Sequence, residues 1–115
     1  MMKPIFIWQK QTPIKKIDPG TVVYLWTKGN YTRLYFPDKS FWEVRSSLQS
    51  ALEKLPEDMF LRINESTAVS IYYIDSIYRD YLVLAGESEE SRESKPIGRP
   101  YYNEFIKKLN VIGKT

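Results

Sequence analysis

Val22-Val23-Tyr24-Leu25-Trp26-Thr27-Lys28-Gly29-Asn30-Tyr31-Thr32-Arg33-Leu34-Tyr35-Phe36 reads as a β-hairpin. Val22 to Trp26 is a continuous β-branched and aromatic run of strand length. Lys28-Gly29-Asn30 follows with residues that supply positive backbone φ at a hairpin end. Thr32, Leu34 and Phe36 then alternate with Arg33 and Tyr35, so one face enters a core while Arg33 points out.

Outward from this hairpin the same grammar repeats. Pro4 to Trp8 and Pro13 to Ile17 are strand-like stretches joined by the polar Gln9 to Thr12, and Asp18-Pro19-Gly20 marks a turn. Pro37-Asp38-Lys39-Ser40 turns the chain into a strand at Phe41 to Arg45. The period then changes. Ser46 or Ser47 offers a helix cap, Ser46 to Gln49 fits a capping box, and Leu48, Leu52 and Leu55 share one helical face before Pro56 ends it.

Strand patterns resume at Phe60 to Ile63, Ala68 to Tyr72, Ile74 to Tyr78 and Tyr81 to Leu84, with Arg79-Asp80 as a two-residue hairpin connection. Gly86 to Ser94, rich in Glu and Ser, reads as an exposed loop. Pro96 and Ile97 suggest a last strand. Pro100 suits a helix start, and Tyr101, Phe105 and Leu109 repeat at helical spacing. About nine short strands and two short helices result. With no crossover helices to build a parallel sheet, the pattern favours a compact, mainly β, sandwich-like domain.

The chain's 115 residues fit a single domain spanning 1–115, with 43% hydrophobic content sufficient for a core. It contains no cysteine, which removes disulfides and thiolate sites, and no histidine, which removes the usual general base and the commonest metal ligand. No pair of acids sits in an apolar setting that would separate their pKa values. A non-enzymatic protein without cofactor, metal or small-molecule substrate is expected. No apolar run has the length of a membrane span and Met1 to Lys16 lacks a signal-peptide core, so a cytoplasmic location is expected.

Charge is segregated along the chain. Met1 to Leu48 carries 8 basic and 3 acidic residues, Gln49 to Gly98 carries 5 and 10, and Arg99 to Thr115 carries 4 and 1. Basic ends suit a polyanionic partner, although a solvated mixed surface gives the same counts. Trp8, Tyr24, Trp26, Tyr35, Trp42, Tyr72, Tyr73 and Tyr78 could stack on bases, but core and cross-strand packing is the commoner use of such residues.

Four segments together resemble the LytTR DNA-binding domain, the output domain of LytR/AgrA-type response regulators. Val22 to Thr32 is similar to its strand and GNYT-type loop. Glu43 to Leu48 followed by Phe60 to Ser70 resembles its "VRxSL" and "FxRIHRSxIVN" stretches. Tyr73 to Ile77 looks like its "YIxxI" strand, and Lys95 to Tyr101 its "xPISRRY" segment. Order and spacing agree over roughly residues 14–109.

The resemblance implies an elongated arrangement of three small antiparallel sheets with two short helices, and sequence-specific binding of double-stranded DNA by a bacterial transcriptional regulator whose loops enter successive major grooves. By position, the base-contacting residues would be Asn30, Glu65 and Arg99, with Asn64 as a neutral substitute reader. Lys28, Arg33, Arg45 and Arg62 could contact phosphates. Asn30 suits an adenine edge and equally a left-handed turn position, and Arg99 suits guanine or phosphate at a helix start.

The pattern departs at Asn64-Glu65-Ser66, where His-Arg-Ser is common in the family, and at Val69-Ser70. A carboxylate at position 65 is repelled by phosphate but accepts from cytosine N4. An interaction module that kept the fold and lost DNA binding, pairing through an exposed strand edge, is the alternative. One small module buries little DNA surface, so two copies on adjacent half-sites are expected.

Overall fold

The computed structural model describes residues 4–9, 13–87 and 95–113. Nine strands are assigned among them: β1 (Ile5–Ile7), β2 (Lys15–Ile17), β3 (Tyr24–Lys28), β4 (Tyr31–Tyr35), β5 (Phe41–Arg45), β6 (Phe60–Asn64), β7 (Thr67–Ser70), β8 (Ile74–Ile77) and β9 (Leu82–Leu84). Helix α1 (Leu48–Glu53) follows β5, and α2 (Arg99–Lys107) closes the fold. All pairing is antiparallel, in three sheets: β1-β2, the central β5-β4-β3-β7-β6, and β8-β9. The molecule measures 49 × 31 × 26 Å. The elongated three-sheet arrangement replaces the compact sandwich that the strand pattern alone favoured.

Strand alternation splits the core across the central sheet. Leu25, Leu34 and Ala68 face one side, where Ile7 and Ile17 of β1-β2 and Leu48 of α1 cover them. Val23, Leu61, Ile63 and Val69 face the other, against Leu82 and Leu84 of β9, Ile97, and Phe105 of α2. A one-residue slip of β3 would exchange these two cores. On α2 it is Phe105 that is buried, with Tyr102, Ile106 and Leu109 packed beside it, and Leu109 lies past the helix end.

Several boundaries differ from the sequence pattern for identifiable reasons. β3 begins at Tyr24 because the Val22 N–H is bonded to the Pro19 carbonyl at the end of a 3-10 turn. β7 stops at Ser70, whose hydroxyl accepts from Tyr72 N and caps a second 3-10 turn over Ile71–Tyr73. Pro96 makes only an isolated bridge to Tyr81. Ser47, not Ser46, caps α1, accepting from Ser50 N at 3.1 Å. The Ser46 N–H is already committed to the Asn30 carbonyl at 3.0 Å, so the Ser46 to Gln49 capping box is not used.

The aromatic residues pack as expected at Tyr24 and Tyr35, stacked at 4.4 Å, and at Phe36 against Trp42. The expectation fails at Trp8 and Tyr72, which are 70% and 73% exposed. Of the acidic Gly86 to Ser94 loop, Glu89, Glu90 and Glu93 lie outside the described residues.

Candidate nucleic-acid interface

One end of the central sheet gathers most of the residues that the sequence singled out. Antiparallel order brings the C-terminal ends of β5, β3 and β6 and the N-terminal ends of β4 and β7 to the same rim. Both helices also start there. Ser46 and Ser47 alone separate Arg45 from α1, and the Gly98 N–H before α2 donates to the Ile63 carbonyl at 2.7 Å.

Backbone and side-chain bonds lace this rim from one edge to the other. Ser46 N donates to the Asn30 carbonyl at 3.0 Å, and Thr27 N donates to the Ser66 carbonyl at 2.9 Å. Buried Thr32 donates its hydroxyl to the Ser46 carbonyl at 2.8 Å. Asn64 Nδ2 donates to the Pro96 carbonyl at 2.8 Å, while its Oδ1 accepts from Ser66 N at 2.8 Å. The Asn30, Glu65 and Arg99 turns are therefore held in one fixed row.

Gly29 takes φ +61° and Asn30 does not enter the left-handed region, as a two-residue II′ turn with glycine first requires. Asn30 is thus released from the conformational role that its residue type allowed. It is exposed, with an amide that bonds to none of the described residues. Glu65 is exposed at the β6–β7 turn, and among the described residues only its backbone carbonyl is used, by Arg62 Nη2 at 3.1 Å.

Gly98 fits the junction because a Cβ there would lie 3.2 Å from the Tyr101 ring and 3.6 Å from the Asn64 Cβ. That close approach sets the first turn of α2, where Arg99 is exposed at the positive end of the helix and the Tyr101 N–H is already bonded to the Gly98 carbonyl at 2.9 Å.

Of the four further cations, Lys28 and Arg45 are exposed on the rim. Arg33 lies inward on the sheet face, with its Nε 3.0 Å from Glu43 Oε1 and its guanidinium 4.2 Å from the Phe41 ring. A bond to the Tyr35 hydroxyl and then the Glu43 carboxylate hold it more firmly protonated than usual. Arg62 bends toward the β6–β7 turn, its Nε buried and without a hydrogen-bond partner among the described residues.

The structure adds a cation that the sequence pattern reduced to a turn residue. Arg79, on the β8–β9 hairpin, lies 5.0 Å from the Tyr102 ring and shares a recess of about 410 Å³ with Arg99 and Asn103. Only contact between α2 and the β8–β9 hairpin, which local spacing does not reveal, brings it there.

Among the described residues no cluster of His, Cys, Asp or Glu is arranged to hold a metal ion, and no helix is long and apolar enough to cross a membrane. The rim offers one amide, one carboxylate and a guanidinium as hydrogen-bonding groups, flanked by further cations.

The sequence model of the LytTr DNA-binding domain family matches residues 13–110 of the chain. Among solved structures, the LytTr DNA-binding domain of a methyl-accepting/DNA response regulator from Bacillus cereus superposes with a TM-score of 0.68 at 22% identity, covering 94% of this chain and 97% of that one. No curated protein gives a significant match.

Proposed function

The chain belongs to the LytTr DNA-binding domain family, and from that premise we propose that it binds double-stranded DNA sequence-specifically, as a non-catalytic transcriptional regulator in the bacterial cytoplasm. The observation that carries this proposal is the hydrogen-bonded rim on which Asn30, Glu65 and Arg99 stand exposed in a row.

Each of these groups has a partner on a base edge. The Asn30 amide suits adenine, the Glu65 carboxylate accepts from cytosine N4, and Arg99 forks onto guanine O6 and N7. Asn64, with its amide used internally on both sides, serves by holding Glu65 and Arg99 in register. Lys28 and Arg45 take phosphates, as does Arg79 beside the positive end of α2. Arg33 and Arg62 chiefly support the sheet and the turn. The 49 Å long dimension exceeds the roughly 34 Å repeat between successive major grooves. Two copies on adjacent half-sites would bring the small interface to a useful affinity.

Binding of random duplex DNA at two salt concentrations tests the proposal. Three or four phosphate contacts give a slope of log K against log salt of about −3. Absence of binding at low salt removes DNA as the partner. It would favour instead a protein-interaction module, for which the exposed Glu65 in the middle of the row is the specific ground.

A further inference from the structure

A cavity of about 680 Å³ opens at the far end of β3 from the Gly29–Asn30 turn, within the usual range for small-molecule sites. Its walls include Tyr24, Tyr35, Phe36 and Tyr73, and Glu87 and Lys95 stand at its polar side. The rim residues proposed to meet DNA take no part in it.

Lys95 is the unusual member, a lysine only 4% exposed. Its ammonium carries three donors, and buried charges are stable when paired and hydrogen-bonded. Among the described residues its partners are the Tyr24 ring, 4.1 Å from Nζ, and Glu87 Oε2 at 3.7 Å. That distance is well beyond the roughly 2.8 Å of a charge-assisted hydrogen bond. Burial lowers the Lys95 pKa and Glu87 only partly offsets it.

Glu87 is held loosely from the other side as well. Its Oε1 accepts from Leu84 N at 3.3 Å, on a turn that passes through Gly86 at φ +88°. A buried cation beside aromatic walls thus has its carboxylate supplied by a side chain at the pocket mouth.

We propose that this cavity binds a small aromatic carboxylate, whose ring lies against the tyrosine and phenylalanine walls and whose carboxylate takes the place of Glu87 on Lys95. An aromatic ring gains from apolar burial and edge contacts, and the anion completes a cation that its partners among the described residues leave under-coordinated. The site is independent of DNA binding and stands or falls separately from it.

Nuclear magnetic resonance titration of the ¹⁵N-labelled full chain, without DNA, tests the site using benzoate and indole-3-acetate against the neutral isostere benzamide. The expected result is saturable shifts of the Leu84, Glu87 and Lys95 amides, with benzamide binding about tenfold more weakly than benzoate. Glu87→Gln removes the competing carboxylate and should tighten benzoate binding several-fold. Lys95→Met should erase the preference for the anion while keeping a dispersed spectrum. Equal binding of benzoate and benzamide, or shifts centred on Arg79 and Arg99, would overturn the proposal. So would the absence of saturable shifts at about 10 mM. Should Lys95→Met not fold, the Glu87→Gln variant decides, because unchanged or weaker benzoate binding refutes the exchange.

Discussion

Asn64 Nδ2 lies 2.8 Å from the Pro96 carbonyl oxygen, and through this bond a side chain on the central sheet holds the entry to the last helix. The same amide accepts from Ser66 N through Oδ1, so one residue fixes both the β6–β7 turn and the segment leading to Arg99.

Asn64→Ala should therefore act on stability and on DNA affinity together. Two hydrogen bonds are lost, at a total cost of about 1–3 kcal/mol measured by urea denaturation. DNA affinity should fall although no base contact is removed. Asn64→Asp keeps the acceptor for Ser66 and loses the donor to Pro96, and should be intermediate in stability. A stability unchanged in the alanine variant would show that the amide bonds are not needed.

Arg99 and Lys28 separate base recognition from phosphate contact. Arg99→Ala should cost about 1–3 kcal/mol on a sequence selected from a random duplex pool, with relaxed preference at one position. Lys28→Ala should weaken binding to all sequences alike and lower the salt slope by about one. The two variants are compared by fluorescence anisotropy on selected and random duplexes; identical behaviour would contradict the division of roles.

Glu65 is the residue whose charge opposes the proposed function. Glu65→Gln keeps shape and hydrogen-bonding capacity while removing repulsion from phosphates, so non-specific affinity should rise. Preference for cytosine at one position of the selected site should decline. Filter binding at low salt, followed by a repeat selection, reads both effects. A non-specific affinity that does not rise places Glu65 away from the duplex.

Strand positions were legible because the central hairpin announces itself through alternation and through Gly29-Asn30. The division into three sheets was not, since periodicity reports which side chains share a face but not which strands pair. At the rim, the sequence singles out Asn30, Glu65 and Arg99. It could not reveal that the Asn64 amide is used twice internally, because both bonds depend on where the chain returns at Pro96. Arg33 looked like a free outward cation, and its neutralisation by Glu43 follows from the β4–β5 register. Lys95 was invisible as a buried cation, being a lysine next to a polar stretch.

Ser46 and Ser47 are equivalent cap candidates by residue type, and the fold distinguishes them. Ser47→Ala removes the acceptor for Ser50 N and should cost about 1 kcal/mol. Ser46→Ala keeps the backbone bond to Asn30 and loses only an exposed hydroxyl bond to the Ser47 carbonyl, so its effect should stay within about 0.5 kcal/mol. Denaturation midpoints of the two variants give the comparison. The reverse order would restore the capping box at Ser46.

Tyr24 and Lys95 should give the protein an uneven response to alkaline pH. Burial, then the charges of Tyr35 and Glu87, push the Tyr24 pKa up from 10.0 to about 12. Above pH 10 the unfolded chain loses this proton while the folded chain keeps it, so the stability that Tyr24 contributes is present below 10 and lost as pH rises through 12. Lys95 acts in the opposite sense. Its folded pKa lies below 10.5, so the unfolded state holds the proton longer and stability rises as pH approaches 10.5. Urea midpoints should therefore climb and then fall across the alkaline range. Lys95→Met should remove the climb, and Tyr24→Phe should make the fall shallower. A Tyr24→Phe protein that loses stability as steeply as the parent would assign the alkaline loss to other groups.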